Sequence, residues 1–454
     1  MGSCPVIPAL VAALACACSA YDFFGYEDNS PLHVVSRPGG YPTVLFGSEI
    51  APTSTADADP VDLVAVSGGS GTPTVFYKLA EGSRLVNVGD PWDEYLDKTE
   101  ADTLGSGASL AGLPVFGDDL RSGCVAIGEP AKGNVHVDCE EGEWHADFTM
   151  SGTEGFGRAL APVPPVGGGP WLLAAAAKDR AWVFSSAKPV ASSSAVVPDD
   201  GEVVELAAGR VDAGRFYLAV ATKNVSYGWN RVHVYVQGSK GLSTLTEAAC
   251  LSRSADPGFG GVMATGDLNG DGADELVVAD GAAEKRKDVA YVYVLSELVA
   301  AAPACEDEDV EPAAVVKPGE ADGPDATCEE ACGFGLALAV GDLATDDKTP
   351  ELAVGAPGAA VGGKGEAGAV YVYRGAKLGE VAGIVADSSP ESGQLFGGGV
   401  AVAPMAGRAE LLAGATGKGK LFIAFCTGVG EDLEAGADVT TNAGGKVIST
   451  RCRP

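Results

Sequence analysis

Gly333-Phe334-Gly335, the apolar run Leu338 to Val340, an acidic loop, Glu351-Leu-Ala-Val-Gly-Ala-Pro357 and Gly368-Ala-Val-Tyr-Val-Tyr373 together decide the fold. The stretch reads as three short strands with Gly-rich turns and no helical period. The same order appears upstream at Gly258-Phe259-Gly260, Val262 to Ala264, Glu275-Leu-Val-Val-Ala279 and Ala290-Tyr-Val-Tyr-Val294. It appears downstream at Phe396-Gly397, Glu410-Leu-Leu-Ala-Gly-Ala415 and Lys420-Leu-Phe-Ile-Ala-Phe425. Weaker copies run from Phe156-Gly157 through Trp171 to Ala175 and Ala181-Trp-Val-Phe184, and from Val204 to Ala207 through Phe216 to Ala221 and Arg231-Val-His-Val-Tyr-Val236. Two more begin near Phe46-Gly47 and Ala108, so the seven starts lie 48 to 75 residues apart. Several units carry a fourth, polar strand, such as Ser243 to Glu247 or Val381 to Ala386. One such sheet cannot bury both faces alone, whereas copies stacked around an axis can. The pattern predicts an all-β fold: a single seven-bladed β-propeller of four-stranded blades over residues 41–454, after an N-terminal segment or linker at 18–40. Separate β-sandwich domains would need roughly 100 residues each and no such repeat.

Each repeated residue has a packing reason. Gly after Phe lacks a Cβ and lets backbone approach closely, expected near the crowded centre of the ring. The Phe is expected to fill the gap between neighbouring blades, and Gly355-Ala356-Pro357 to form the turn after the second strand. Phe-Gly combined with Gly-Ala-Pro resembles the FG-GAP signature, and the units are similar to those of the integrin α-subunit N-terminal β-propeller and its bacterial exported relatives. The resemblance runs over roughly residues 40 to 452, strongest in the last three units. It implies a calcium-binding scaffold that engages a protein or glycan partner through its loops.

The fifth unit contains Asp267-Leu-Asn269-Gly-Asp271-Gly272-Ala273-Asp274-Glu275. Ca²⁺ takes about six to eight oxygens at roughly 2.3–2.6 Å. Side-chain oxygens of Asp267, Asn269 and Asp271 can converge in a tight loop, with Gly272 allowing the turn, the Ala273 carbonyl adding a ligand and Glu275 closing the shell. No helical pattern flanks the loop, so it is not an EF-hand, and it matches the FG-GAP calcium loop at all these positions. A weaker second set, Asp342, Asp346 and Glu351, has Ala344 at the third position and one extra residue. Asp57, Asp59 and Asp62 of the first unit depart from the pattern, Asp212-Ala-Gly-Arg215 is too short, and the seventh unit lacks ligands. The metal is expected to be structural, pinning a loop between first and second strands.

Residues 1–17 carry no charge, and Val6 to Ala17 is too short to span a membrane. The segment suits the core of a secretion signal, though it has no basic residue at its start. Ala15-Cys16-Ala17-Cys18 resembles a bacterial lipobox, with Leu14-Ala15-Cys16 and plain cleavage near Ala20 as alternatives. Eleven cysteines decide in favour of Cys18 as lipid carrier, because cutting before it leaves eight others for four disulfides. Cys124 and Cys139 fall opposite each other on paired strands, and Cys426 with Cys452 would tie the last strands of the seventh unit. Pairing among Cys250, Cys305, Cys328 and Cys332 stays open. Ten acids and one Lys lie between Cys305 and Cys332, a solvated loop held by disulfides or a cation-attracting or partner-facing surface.

Lys and Arg number 30 against 62 Asp and Glu, a net charge of −32. That excludes a nonspecific nucleic-acid binder, which must replace phosphate counterions with basic side chains. It leaves membrane attachment only to a lipid anchor. There is no nucleophile elbow, phosphate loop or paired zinc-binding histidine. His136 and His233 sit in alternating strands, where packing or surface roles are expected, as for His145 beside Trp144, and His33 lies in a poorly patterned segment. The expectation is a non-catalytic protein of the cell envelope, an outer-membrane lipoprotein or extracellular, with Ca²⁺ as cofactor. The alternative is a propeller enzyme, lyase or hydrolase, acting on polysaccharide at the central axis. In either case the long insertions of units one, five and six would carry specificity.

Overall fold

A computed structural model describes residues 32–36, 48–53, 63–67, 75–80, 84–89, 109–116, 121–139, 146–185, 193–196, 201–224, 230–238, 244–253, 256, 258–280, 288–305, 310–319, 324–328, 332–343, 349–387, 389–405 and 408–425. Within these, the fold is all-β. β1 (Leu32–Ser36) precedes a first sheet of β2 (Glu49–Thr53), β3 (Leu63–Ser67), β4 (Val75–Ala80) and β5 (Arg84–Gly89). The second sheet is β6 (Leu110–Phe116), β7 (Arg121–Glu129), β8 (Asn134–Cys139) and β9 (Ala146–Ser151). The third is β10 (Ala159–Val163), β11 (Leu172–Ala176), β12 (Arg180–Phe184) and β13 (Ser193–Val196). The fourth is β14 (Gly201–Asp212), β15 (Arg215–Asn224), β16 (Asn230–Gln237) and β17 (Leu245–Ser252). The fifth comprises β18 (Phe259–Gly266), β19 (Glu275–Asp280), β20 (Ala290–Tyr293) and, after the short helix α1 (Leu295–Ala301), β21 (Ala314–Val316). A two-stranded ribbon of β22 (Ala326–Thr327) and β25 (Ala360–Val361) accompanies the sixth sheet, β23 (Ala337–Gly341), β24 (Glu351–Ala356), β26 (Ala369–Arg374) and β27 (Val381–Val385). The seventh holds β28 (Phe396–Met405), β29 (Arg408–Ala415) and β30 (Lys420–Phe425).

All sheet pairings are antiparallel. First strands touch in sequence: β2 with β6, then β10, β14, β18, β23 and β28, which returns to β2. The fourth strand of the seventh sheet is β1, paired along β30 from Leu32 opposite Ala424 to Ser36 opposite Lys420. The N-terminal segment 18–40 is therefore more than a linker, because it supplies the outer strand that completes the last sheet. Cys426 and Cys452 lie outside the described residues, as do Phe46-Gly47 and residues 1–31.

Inner strands are apolar on both faces because each sheet is covered on both sides. Along β16, Val232, Val234 and Val236 enter a core shared with the fifth sheet, while Tyr235 enters one shared with the third. Small side chains dominate where strands crowd: every residue of Leu172-Leu-Ala-Ala-Ala176 is buried. Phe156, Phe259, Phe334 and Phe396 each lie in the core between their own sheet and the preceding one. Each also meets, edge to face, an aromatic ring on the third strand of its own sheet. The pairs are Phe156 with Phe184, Phe259 with Tyr291, Phe334 with Tyr371 and Phe396 with Phe422, at 5.1–6.0 Å.

The signature glycines make the contact that joins one sheet to the next. Gly157 and Gly397 have φ of +87° and +81°, and a Cβ there would fall 2.4 Å from Asn134 O and 2.7 Å from Ala369 O. Both oxygens belong to the third strand of the preceding sheet, so the close approach is made between neighbouring sheets. Gly355 does not form a turn; it lies within β24, and a Cβ on it would meet the Gly397 carbonyl oxygen. Gly128 of β7 faces Gly157 O in the same way. The turn starts only at Pro357.

Candidate metal centre

The loop between β18 and β19 lies over the join of the fourth and fifth sheets and is fastened from below. The Thr265 hydroxyl donates to Ala208 O at 2.7 Å, and Asp274 N–H to Arg210 O at 2.8 Å. In return Arg210 N–H donates to Asp274 Oδ2 at 2.7 Å and its guanidinium to Oδ1 at 3.1 Å. The Tyr217 hydroxyl donates to the Glu275 carbonyl at 3.2 Å. Burial pushes the Tyr217 phenol well above its ordinary range, with Asp274 and Glu275 adding to the shift.

Within the loop, Gly272 N–H donates to Asp267 Oδ2 at 2.9 Å, Asp271 N–H to Asn269 Oδ1 at 2.8 Å, and Ala273 N–H to Asp271 Oδ1 at 2.9 Å. Asn269 donates its backbone N–H to Glu275 Oε2 at 3.2 Å. Its side-chain amide donates to Glu275 Oε1 at 2.7 Å and Asp271 Oδ2 at 3.2 Å. Asp267 Oδ1 is buried with no hydrogen-bond partner. Burial raises the Glu275 carboxyl to about 7, and the charges of Asp271 and Asp267 push in the same direction. The loop thus gathers hard oxygens of one sign around the Asn269 amide and the loop's own backbone N–H groups. The donor set fits a hard divalent ion: Asp267, Asn269, Asp271, the Ala273 carbonyl and Glu275 would hold Ca²⁺, which would offset most of the charge of the three carboxylates.

The sixth sheet repeats part of this plan. Glu351, like Glu275, opens the second strand, is buried, and accepts a backbone N–H, here from Leu343 at 2.7 Å. Asp342 is exposed, and Asp346 lies outside the described residues, as do Asp57, Asp59 and Asp62. Asp212 closes the tight turn between β14 and β15, accepting from Gly214 N–H at 2.9 Å and pairing with Arg215 at 2.7 Å.

Cys124 and Cys139 are disulfide-bonded and stand opposite in register. Cys250 bonds Cys305, and Cys328 bonds Cys332, resolving the pairing left open by the sequence. Cys18 lies outside the described residues. His136 Nε2 lies 3.1 Å from Glu129 Oε2, beside Lys132 at 2.8 Å from the other oxygen. His233 is fully buried, and His145 lies outside the described residues. The sequence reading missed Asp274: no local pattern marks it, because its partner Arg210 stands 64 residues upstream.

No protein-family model matches the chain, and no curated protein matches it in sequence. Among solved structures it is similar to BBS1N, crystallised in complex with ARL6DN, at 11% identity and a TM-score of 0.45. That match covers 84% of this chain and 97% of the other. No helix among the described residues is long and apolar enough to cross a membrane.

Proposed function

We propose that the seven sheets are the blades of one β-propeller of the FG-GAP type, a calcium-stabilised, non-catalytic scaffold that binds a protein or glycan through its loops. The cyclic order of first-strand contacts supports the seven-bladed reading. The family reading rests on the quoted Phe-Gly and Gly-Ala-Pro residues and on the inter-sheet contacts they make. The observation that carries the calcium is Asp267 Oδ1, a buried carboxylate oxygen left without a donor in a loop that otherwise satisfies its side chains. Such a group costs stability unless a cation meets it. The ion would act on the scaffold, by mass action on the folded state.

The surface we put forward for the partner is the ribbon β22–β25, an addition to the repeating plan, with its exposed tip at 362–366. Export, with a lipid on Cys18, belongs to the same reading.

Two measurements test it. Calcium at 100 times its dissociation constant should stabilise the chain by about 2.7 kcal/mol over a chelated sample, and Glu275→Gln should remove most of that difference. Equal melting curves with and without calcium would exclude the ion. A glycan array with pull-down from envelope extracts addresses the partner: capture without turnover supports the scaffold, and bond cleavage replaces it with a polysaccharide enzyme.

A further inference from the structure

At the outer edge of the fourth sheet, His233, Glu247, Cys250 and Cys305 bring one ligating atom each to within 4.8 Å of one another. They come from three segments. His233 on β16 and Cys250 on β17 are directly opposed in register. Regular pairing would turn Glu247 to the other face, because it is an odd number of residues from Cys250. The register shifts between Val234 and Tyr235, however, so that Glu247 stands opposite Tyr235 and Ala248 is the extra residue. Bulges re-aim side chains in this way. Glu247 consequently shares the face of His233, its Oε1 2.8 Å from His233 Nδ1. Cys305 arrives from beyond α1. Cys250 N–H donates to Pro303 O at 2.8 Å, and the Ser252 hydroxyl to Cys305 O at 3.2 Å, holding this segment along β17. Cys305 Sγ lies 3.9 Å from His233 Nδ1 and is bonded to Cys250.

We infer that this corner is a redox-gated site for a zinc-class divalent ion, closed to metal as the disulfide and open to it as the dithiol. Two thiolates, an imidazole and a carboxylate are a tetrahedral, borderline-soft set, suited to Zn²⁺ and unlike the all-oxygen loop at Asp267. A ligating histidine needs an acceptor for its other N–H. With Nδ1 on the metal, the buried Nε2–H of His233 has Thr222 Oγ1 at 3.4 Å. The Glu247 side chain, 41% exposed, gives the ion a way in from solvent. Opening is a two-electron reduction. A phosphine gives two electrons to the S–S bond and leaves as its oxide with an oxygen from water, whose two hydrogens become the thiol protons. The divalent ion then displaces both protons and binds the two thiolates.

The test uses the full chain, oxidised or phosphine-reduced, titrated with Zn²⁺ and with Co²⁺ as spectroscopic probe. The reduced chain should bind one more ion than the oxidised chain and show thiolate-to-cobalt charge-transfer absorption. Cys250→Ser with Cys305→Ser should remove that ion while the other cysteines stay in place. Glu247→Gln changes a side chain that is 41% exposed and keeps its size. It should weaken binding by at least the roughly 10-fold that loss of even a supporting partner costs. Equal zinc stoichiometry in both redox states, or unchanged affinity in Glu247→Gln, would make the pair a plain structural disulfide.

Discussion

Replacing Gly397 by alanine tests whether the signature glycines exist for the joint between sheets. Two costs add at this position. An L-residue held at φ +81° is in the left-handed region, worth about 1–2 kcal/mol. The new methyl would sit 2.7 Å from Ala369 O and 3.0 Å from Val370 Cγ2, and overpacking of this kind costs about 1–3 kcal/mol. Alanine also restricts the unfolded chain, which returns about 0.4–1 kcal/mol. The net loss is about 1–4.5 kcal/mol. Gly363 supplies the control: its φ is +74°, but a Cβ there meets nothing within 4 Å, so Gly363→Ala carries the backbone term alone, about 1 kcal/mol or less. Urea unfolding followed by tryptophan fluorescence should place the midpoint of Gly397→Ala well below that of Gly363→Ala, with similar slopes. Gly355→Ala in the same background should cost less than in the wild type, because the Gly355 Cβ and the Gly397 carbonyl oppose each other across one joint. Equal midpoints for Gly397→Ala and Gly363→Ala would refute the reasoning.

Arg210→Ala removes the guanidinium that holds Asp274 and leaves that buried carboxylate with the Arg210 backbone N–H. The expected loss is about 1.5 kcal/mol, the low end for a charged hydrogen bond because the arginine is half exposed. Arg210→Lys should fall between, since an ammonium keeps the charge but not the fork, and equal denaturation midpoints for all three would show that the clamp contributes nothing. Deleting residues 1–36 strips β1 from β30 and exposes a sheet edge. The shortened chain should melt earlier and self-associate in sedimentation, and an unchanged monomer would mean that β1 does not close the last sheet.

Reading the repeat from sequence worked because its signals are local. Alternation in Arg231-Val-His-Val-Tyr-Val236 and the spacing of Phe-Gly pairs each lie within a few residues, and each recurs in a chain that must bury both faces of every sheet. What those residues touch was less accessible. Gly397 meets Ala369 and Gly355, contacts made with the preceding unit, and nothing near either residue in sequence names that neighbour. The completing strand was hidden for a related reason: Leu32–Ser36 is an ordinary apolar stretch, and its partner β30 lies nearly 400 residues away.

The two candidate metal sites divide along the same line. The loop from Asp267 to Glu275 draws its ligands from one turn, so spacing alone brings the oxygens together. The cluster at His233 is assembled by a bulge at Ala248 and by a segment returning past α1, neither of which leaves a mark in the order of residues. A six-residue alternation that places His233 in a strand gives it a packing role by default, and only the register shift gives it a carboxylate neighbour. Sites built within one loop are therefore legible in this chain, whereas sites built by register are not. The chemistry follows that division: the loop offers only oxygens, as a turn rich in Asp and Gly must, while two paired strands and a returning segment add sulfur and nitrogen to a carboxylate.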